Sequence, residues 1–177
     1  MILSEFILLG IGGKELSEEN AAQTAKALNI IQPDFIRVHA TGIKLESKLG
    51  EFVRDGSFTL QSEEEIVIEQ KLFLQQLHEM DSYYVNEHIV NLLLEVRGNL
   101  RTEKQEMLST IDRFLTLPPD ERLLFTVGRR LNIFFLLDDL KKPKLHQKAG
   151  ESLQQILSKN PHVDFAALCN YVRQSQI

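Results

Sequence analysis

The chain opens on a short apolar run, Phe6-Ile7-Leu8-Leu9, closed by Gly10-Ile11-Gly12-Gly13. An apolar run bounded by glycines predicts a buried strand that ends in a tight loop. Ser17 then stands as a helix N-cap. Glu18, Glu19 and Asn20 follow in the first turn, where carboxylates favour the helix dipole. Ala21, Ala25, Leu28 and Ile31 recur at helical spacing and predict one apolar face. Pro33 ends that helix, and Phe35-Ile36-Arg37-Val38 reads as a second strand. Strand, glycine turn, helix and strand make one βαβ unit, whose crossover implies parallel pairing.

Residues 40–62 are loop-rich, with Gly42, Gly50 and Gly56. Ser62 followed by Glu65 is a capping box, and Ile66, Ile68, Leu72, Phe73 and Leu77 are expected to face the interior beyond it. Ser82-Tyr83-Tyr84-Val85 predicts a third strand with one tyrosine facing inwards. From Glu87 the pattern reads as helical, with a stripe of Met107, Ile111, Phe114 and Leu115 before Pro118-Pro119. A helix over 120–138 follows, then two more near 153–157 and 165–172. The expected α/β layout is three βα units and an all-helical C-terminal tail. Parallel sheets are normally buried on both faces, so the strand nearest Met1 is expected to present an open edge.

Composition narrows the chemistry. The 177 residues carry a net charge of −5, which offers no basic face for a non-specific grip on nucleic acid. No apolar run approaches the roughly 20 residues that span a bilayer, and no signal-peptide pattern precedes the first strand. A cytoplasmic protein is expected, with neither nucleic acid nor membrane as partner. The single cysteine, Cys169, allows no internal disulfide and no thiolate metal centre built from this chain alone.

The sharpest chemical signal is Gly10-Ile11-Gly12-Gly13-Lys14-Glu15, placed between a strand and a helix. Glycines there let a backbone approach a ligand closely, and a helix N-terminus favours an anion. Glu15 breaks the dinucleotide fingerprint, where a third glycine is needed, and also the phosphate-binding loop, where Ser or Thr follows the lysine. A nucleoside-type cofactor along the strand ends and a plain tight turn both stay open, and a nucleotide-phosphate role for Lys14 is a further alternative. The histidines at 39, 78, 88, 146 and 162 show no close pairing in sequence, and no zinc-type His-Glu-x-x-His helix occurs. The basic run from Lys141 to Lys148 reads as a solvated segment between helices.

Leu9-Gly10-Ile11-Gly12-Gly13-Lys14-Glu15, Ala21-Ala22-Gln23-Thr24-Ala25-Lys26-Ala27-Leu28-Asn29 and Pro33-Asp34-Phe35-Ile36-Arg37 together resemble the second half of a radical S-adenosylmethionine (radical SAM) barrel. Asn86-Glu87-His88-Ile89-Val90-Asn91-Leu92-Leu93, Val96-Arg97-Gly98-Asn99-Leu100, Leu115-Thr116-Leu117-Pro118 and Glu121-Arg122-Leu123-Leu124-Phe125 with Gly128-Arg129-Arg130 resemble one uncharacterised bacterial branch of that superfamily. The resemblance implies a partial parallel βα barrel over 1–88 and a helical tail over 89–177. It places Gly10, Gly12, Gly13 and Glu15 beside S-adenosylmethionine, with Arg37 and His39 at the end of the next strand and His88 after the third.

In this superfamily a [4Fe–4S] cluster held by three cysteines reduces the cofactor to a radical that abstracts hydrogen. Those cysteines belong to an N-terminal half that this sequence does not contain. The turn at 42–49 also departs from the family pattern. The resemblance therefore implies a part of a radical SAM iron–sulfur enzyme, inactive alone. Its expected partner is a separate cluster-binding half, or a second copy through the open strand edge. The alternative is a non-enzymatic binding or regulatory module.

Overall fold

The computed structural model describes residues 1–176. The first βαβ unit forms, with β1 (Ser4–Leu9), α1 (Ser17–Ile31) and β2 (Phe35–Ala40) and the strands parallel in the register Ser4↔Phe35 to Leu9↔Ala40. However, β1 is not the buried strand expected, since Phe6 and Leu8 are exposed. Ala21, Ala25 and Leu28 are buried, whereas Ile31 lies outside the apolar face and is exposed. Ser17 is the first helical residue rather than the cap, and its hydroxyl donates to Glu69. A short helix, α2 (Lys48–Asp55), interrupts the expected loop. Ser47 caps it by accepting from the Gly50 N–H, and Gly56 closes it at φ 80°. The capping box at α3 (Glu63–Gln76) is complete, with both the Ser62 and Glu65 side chains bonded.

Beyond α3 the expected architecture is overturned. β3 (Tyr83–Val85) pairs parallel with β2, but β4 (Gly98–Asn99) then pairs antiparallel with β3. The result is an open, mixed four-stranded sheet in the order β1-β2-β3-β4, and not a partial parallel βα barrel of three units. The cause lies in residues 86–97, which form turns where a helix was expected. Asn91 takes over the pairing of β2 past the end of β3. Its Oδ1 accepts from the Ala40 N–H and its Nδ2 donates to the Val38 carbonyl, each at 2.7 Å. Asn86 Nδ2 donates to the Leu93 carbonyl and holds the turn closed. These side chains satisfy buried backbone groups that an unpaired strand end would strand without partners.

Five helical segments complete the chain: α4 (Lys104–Leu115), α5 (Pro119–Arg130), a 3-10 helix (Leu137–Lys141), α6 (Pro143–Lys159) and α7 (Phe165–Gln174). The helix expected over 120–138 stops at Arg130. Asn132 adopts a left-handed φ of 56°, and the Ile133 and Phe134 N–H groups turn back to donate to the Gly128 carbonyl. Phe134 thereby stacks on Phe125 at 5.9 Å, lying against the bare face of Gly128. A Cβ at Gly128 would overlap that ring. Gly128→Ala is therefore expected to lower stability by about 1–3 kcal/mol, which thermal denaturation reads directly.

The helices are not an appendage. One apolar cluster runs from Leu9, Ile36 and Tyr84 through Phe73 and Leu93 to Phe114, Phe125, Phe134 and Ala149. It lies on one side of the sheet, where α1, α3 and α4 pack. On the other side strand alternation presents Ser4, Phe6 and Leu8 from β1, Phe35, Arg37 and His39 from β2, and Tyr83 and Val85 from β3. Phe6 is 64% exposed and Leu8 46%, so among the described residues no layer covers this face.

Candidate functional site

The glycine loop is organised by a buried carboxylate. Glu69, wholly buried in α3, accepts from the Gly10 N–H at 3.1 Å, the Ser17 hydroxyl at 2.9 Å and Asn20 Nδ2 at 2.8 Å. Gly10 and Gly13 sit at φ 82° and 64°, which favour glycine. The space that the missing side chains leave is used by the chain itself. A Cβ would meet Gln61 at Gly10, the Leu16 backbone at Gly12, and the Thr59 carbonyl and Phe58 ring at Gly13. Glu15 is tied to the same segment: hydrogen bonding from Thr59 holds its carboxyl below the usual value. Lys14 pairs with Glu65 at 2.7 Å. A cavity of about 160 Å³ lined by Lys14, Ser17, Gln61 and Glu65 opens between the first turns of α1 and α3.

Arg37 is not part of that cavity. It stands third in β2, opposite Phe6, about 13 Å along the strand from Gly10. Its Nε donates to Ser4 Oγ at 3.0 Å, and the guanidinium lies 5.6 Å from the centre of the Phe35 ring. Among the described residues no carboxylate pairs with it. His39, two residues further towards the loop, stacks on His88 with ring centres 4.3 Å apart and meets the edge of Phe6 at 5.6 Å. Burial first, then the neighbouring His88 and Arg37, lower the His39 pKa and favour its neutral ring. The structure thus gathers Phe6, Arg37, His39 and His88 on the uncovered sheet face. The histidine pair is invisible in the spacing of the sequence, and only the parity of Arg37 and His39 along one strand hints at their shared side.

The carboxyl end of the sheet, where open α/β sheets commonly take ligands, is filled by the chain. Glu63 at the start of α3 is paired with Arg130 at 2.6 Å and also with Arg173 of α7, all three buried. Arg173 Nε also donates to the Thr41 carbonyl, and Asn170 bonds both backbone groups of Ile43. Arg129 is fully buried. Its Nη2 donates to the Ile89 and Asn91 carbonyls, and burial followed by the Arg130 charge pushes it down to about 10. No local sequence signal announced this cluster, because its members come from three distant elements.

Cys169 is buried beside this cluster, and burial together with Glu63 pushes its thiol up to about 12. A thiol so held does not present a thiolate to iron. Among the described residues no group of three or more His, Cys, Asp or Glu side chains is placed to hold a metal ion. No helix among them is long and apolar enough to cross a membrane. No family model matches this chain, and no match to it was found among curated proteins or solved structures.

Proposed function

We propose that this chain forms one wall of the cofactor and substrate cleft of a radical SAM enzyme whose iron–sulfur cluster is held by residues outside this sequence. The observation that supports it most is the gathering of Arg37, His39 and His88 on the one sheet face that no helix covers. The motif resemblance adds the ligand class. The residues of this chain do not fit the cluster, since its one thiol is buried and protonated. They do fit a zwitterionic nucleoside. Among the described residues no carboxylate pairs with Arg37, whose guanidinium suits one, and the His39, His88 and Phe6 rings offer flat surfaces to an adenine or ribose. The cluster and cofactor together supply radical chemistry, and this wall binds and orients.

The test is an amide chemical-shift titration of the chain with S-adenosylmethionine at millimolar concentration. Shifts centred on Gly10, Arg37, His39 and His88 are expected. A silent spectrum, or shifts confined to other residues, refutes the cofactor wall. In that case the second reading applies, a binding module without catalysis. It is favoured by the way Arg130 of α5 and Arg173 of α7 close on Glu63 of α3 and fill the carboxyl end of the sheet.

A further inference from the structure

We infer that the open edge of β1 takes a strand from a different polypeptide, an extended segment with apolar side chains at alternate positions and a carboxylate opposite Arg37. The inference does not rest on the cofactor reading and competes with it for Arg37 and Phe6, so the chemical-shift titration and the peptide experiment below separate the two.

The edge geometry comes first. The Leu3 and Leu9 carbonyls accept from the Phe35 and Thr41 N–H groups. The odd residues of β1 therefore turn their backbone groups to β2, and Ser4, Phe6 and Leu8 turn theirs outward. The Leu8 carbonyl is bonded by Asn20 Nδ2 at 3.3 Å. Among the described residues nothing bonds the N–H or C=O of Ser4 and Phe6, or the Leu8 N–H.

Natural edges are blunted by proline, lysine, bulges or shortness. β1 has none of these: it is six residues long, and its one charged residue, Glu5, has the odd parity of the helix-covered face. The opposite edge is managed. β4 is only two residues long, and its Asn99 N–H is bonded by Glu103.

The occupant's chemistry follows from the face beside this edge. Phe6 and Leu8 give an apolar strip that an added strand covers with its own alternate side chains. The bond to Ser4 carries the Arg37 guanidinium over β1, so it lies about one strand spacing, roughly 4.8 Å, from the added strand. A carboxylate there gives Arg37 a counter-charge that none of the described residues supplies. A second copy of the chain is a poorer fit. Two-fold pairing of β1 with β1 brings two Arg37 groups to one seam with no acid between them, and like charges oppose.

The probe is a short synthetic peptide of alternating valines with a central glutamate, read by fluorescence anisotropy against the full chain. It is expected to bind about tenfold more tightly than the same peptide with lysine at the centre. Arg37→Glu should reverse that preference. Phe6→Pro takes away an outward N–H, which an edge strand tolerates, together with the ring that meets His39, so it should abolish binding while the chain still melts cooperatively.

Amide exchange gives a readout that does not depend on any variant folding. In the free chain Phe6 and Leu8 should exchange much faster than Glu5 and Ile7, and the peptide should slow them. Equal protection of Phe6 and Glu5 in the free monomer overturns the inference. So does a glutamate peptide that fails to bind an edge that exchanges fast. A concentration-dependent dimer abolished by Phe6→Pro would also overturn it, by assigning the edge to a second copy.

Discussion

Glu63→Ala is expected to destabilise the fold by about 3–5 kcal/mol, because it leaves the Arg130 and Arg173 guanidiniums buried without a counter-charge. Chemical denaturation of the variant measures it. The cost belongs to the broken network rather than to the presence of ions. Replacing Glu63, Arg130 and Arg173 together by apolar residues of similar volume should recover most of the loss. A mild effect in Glu63→Ala would mean that water reaches the cluster.

The same carboxyl fixes a pH dependence. Burial raises its pKa, but Arg130 and Arg173 outweigh burial and hold it below the ordinary 4.5. A carboxyl depressed in the folded state lends its stability above that ordinary value and loses it as the pH falls through the folded pKa. Acid should therefore unfold the wild type in a way that Glu63→Gln no longer shows.

Asn91→Ala is expected to cost about 2–5 kcal/mol, the sum of two stranded backbone groups at the end of β2. Amide exchange separates this from general loosening. The Ala40 N–H should lose protection well before those of Ile36 and Val38. If all three loosen together, Asn91 is serving the core as a whole and not the strand end.

Local chemistry made part of this fold legible. The glycine-closed apolar run, the second strand after Pro33 and the Ser62–Glu65 box all act within a few residues and all three elements form, although the first strand, expected to be buried, is covered on one face only. Two features escaped because residues distant from the pattern decided where an element ends. Asn91 stands in for strand pairing, so an apolar stretch with helical spacing folds as turns. Gly128 accepts a returning loop, so a helical pattern ends early at Arg130.

The site was less legible for a different reason. Strand parity puts Arg37 and His39 on one side, but which neighbour meets them depends on the β2–β3 register, and only that register brings His88 onto His39. The Glu63 cluster joins partners 67 and 110 positions apart, beyond the reach of any spacing rule.

That last separation has a consequence for synthesis. A ribosome adding about 5–20 residues per second leaves roughly 5–20 s between the emergence of Glu63 and that of Arg173. Once Arg130 has emerged, the sheet and its first helices are complete in sequence, while the buried acid at their carboxyl end still lacks one of its two cations. The nascent domain waits, half-neutralised and open at its carboxyl end, until the last helix arrives to close it.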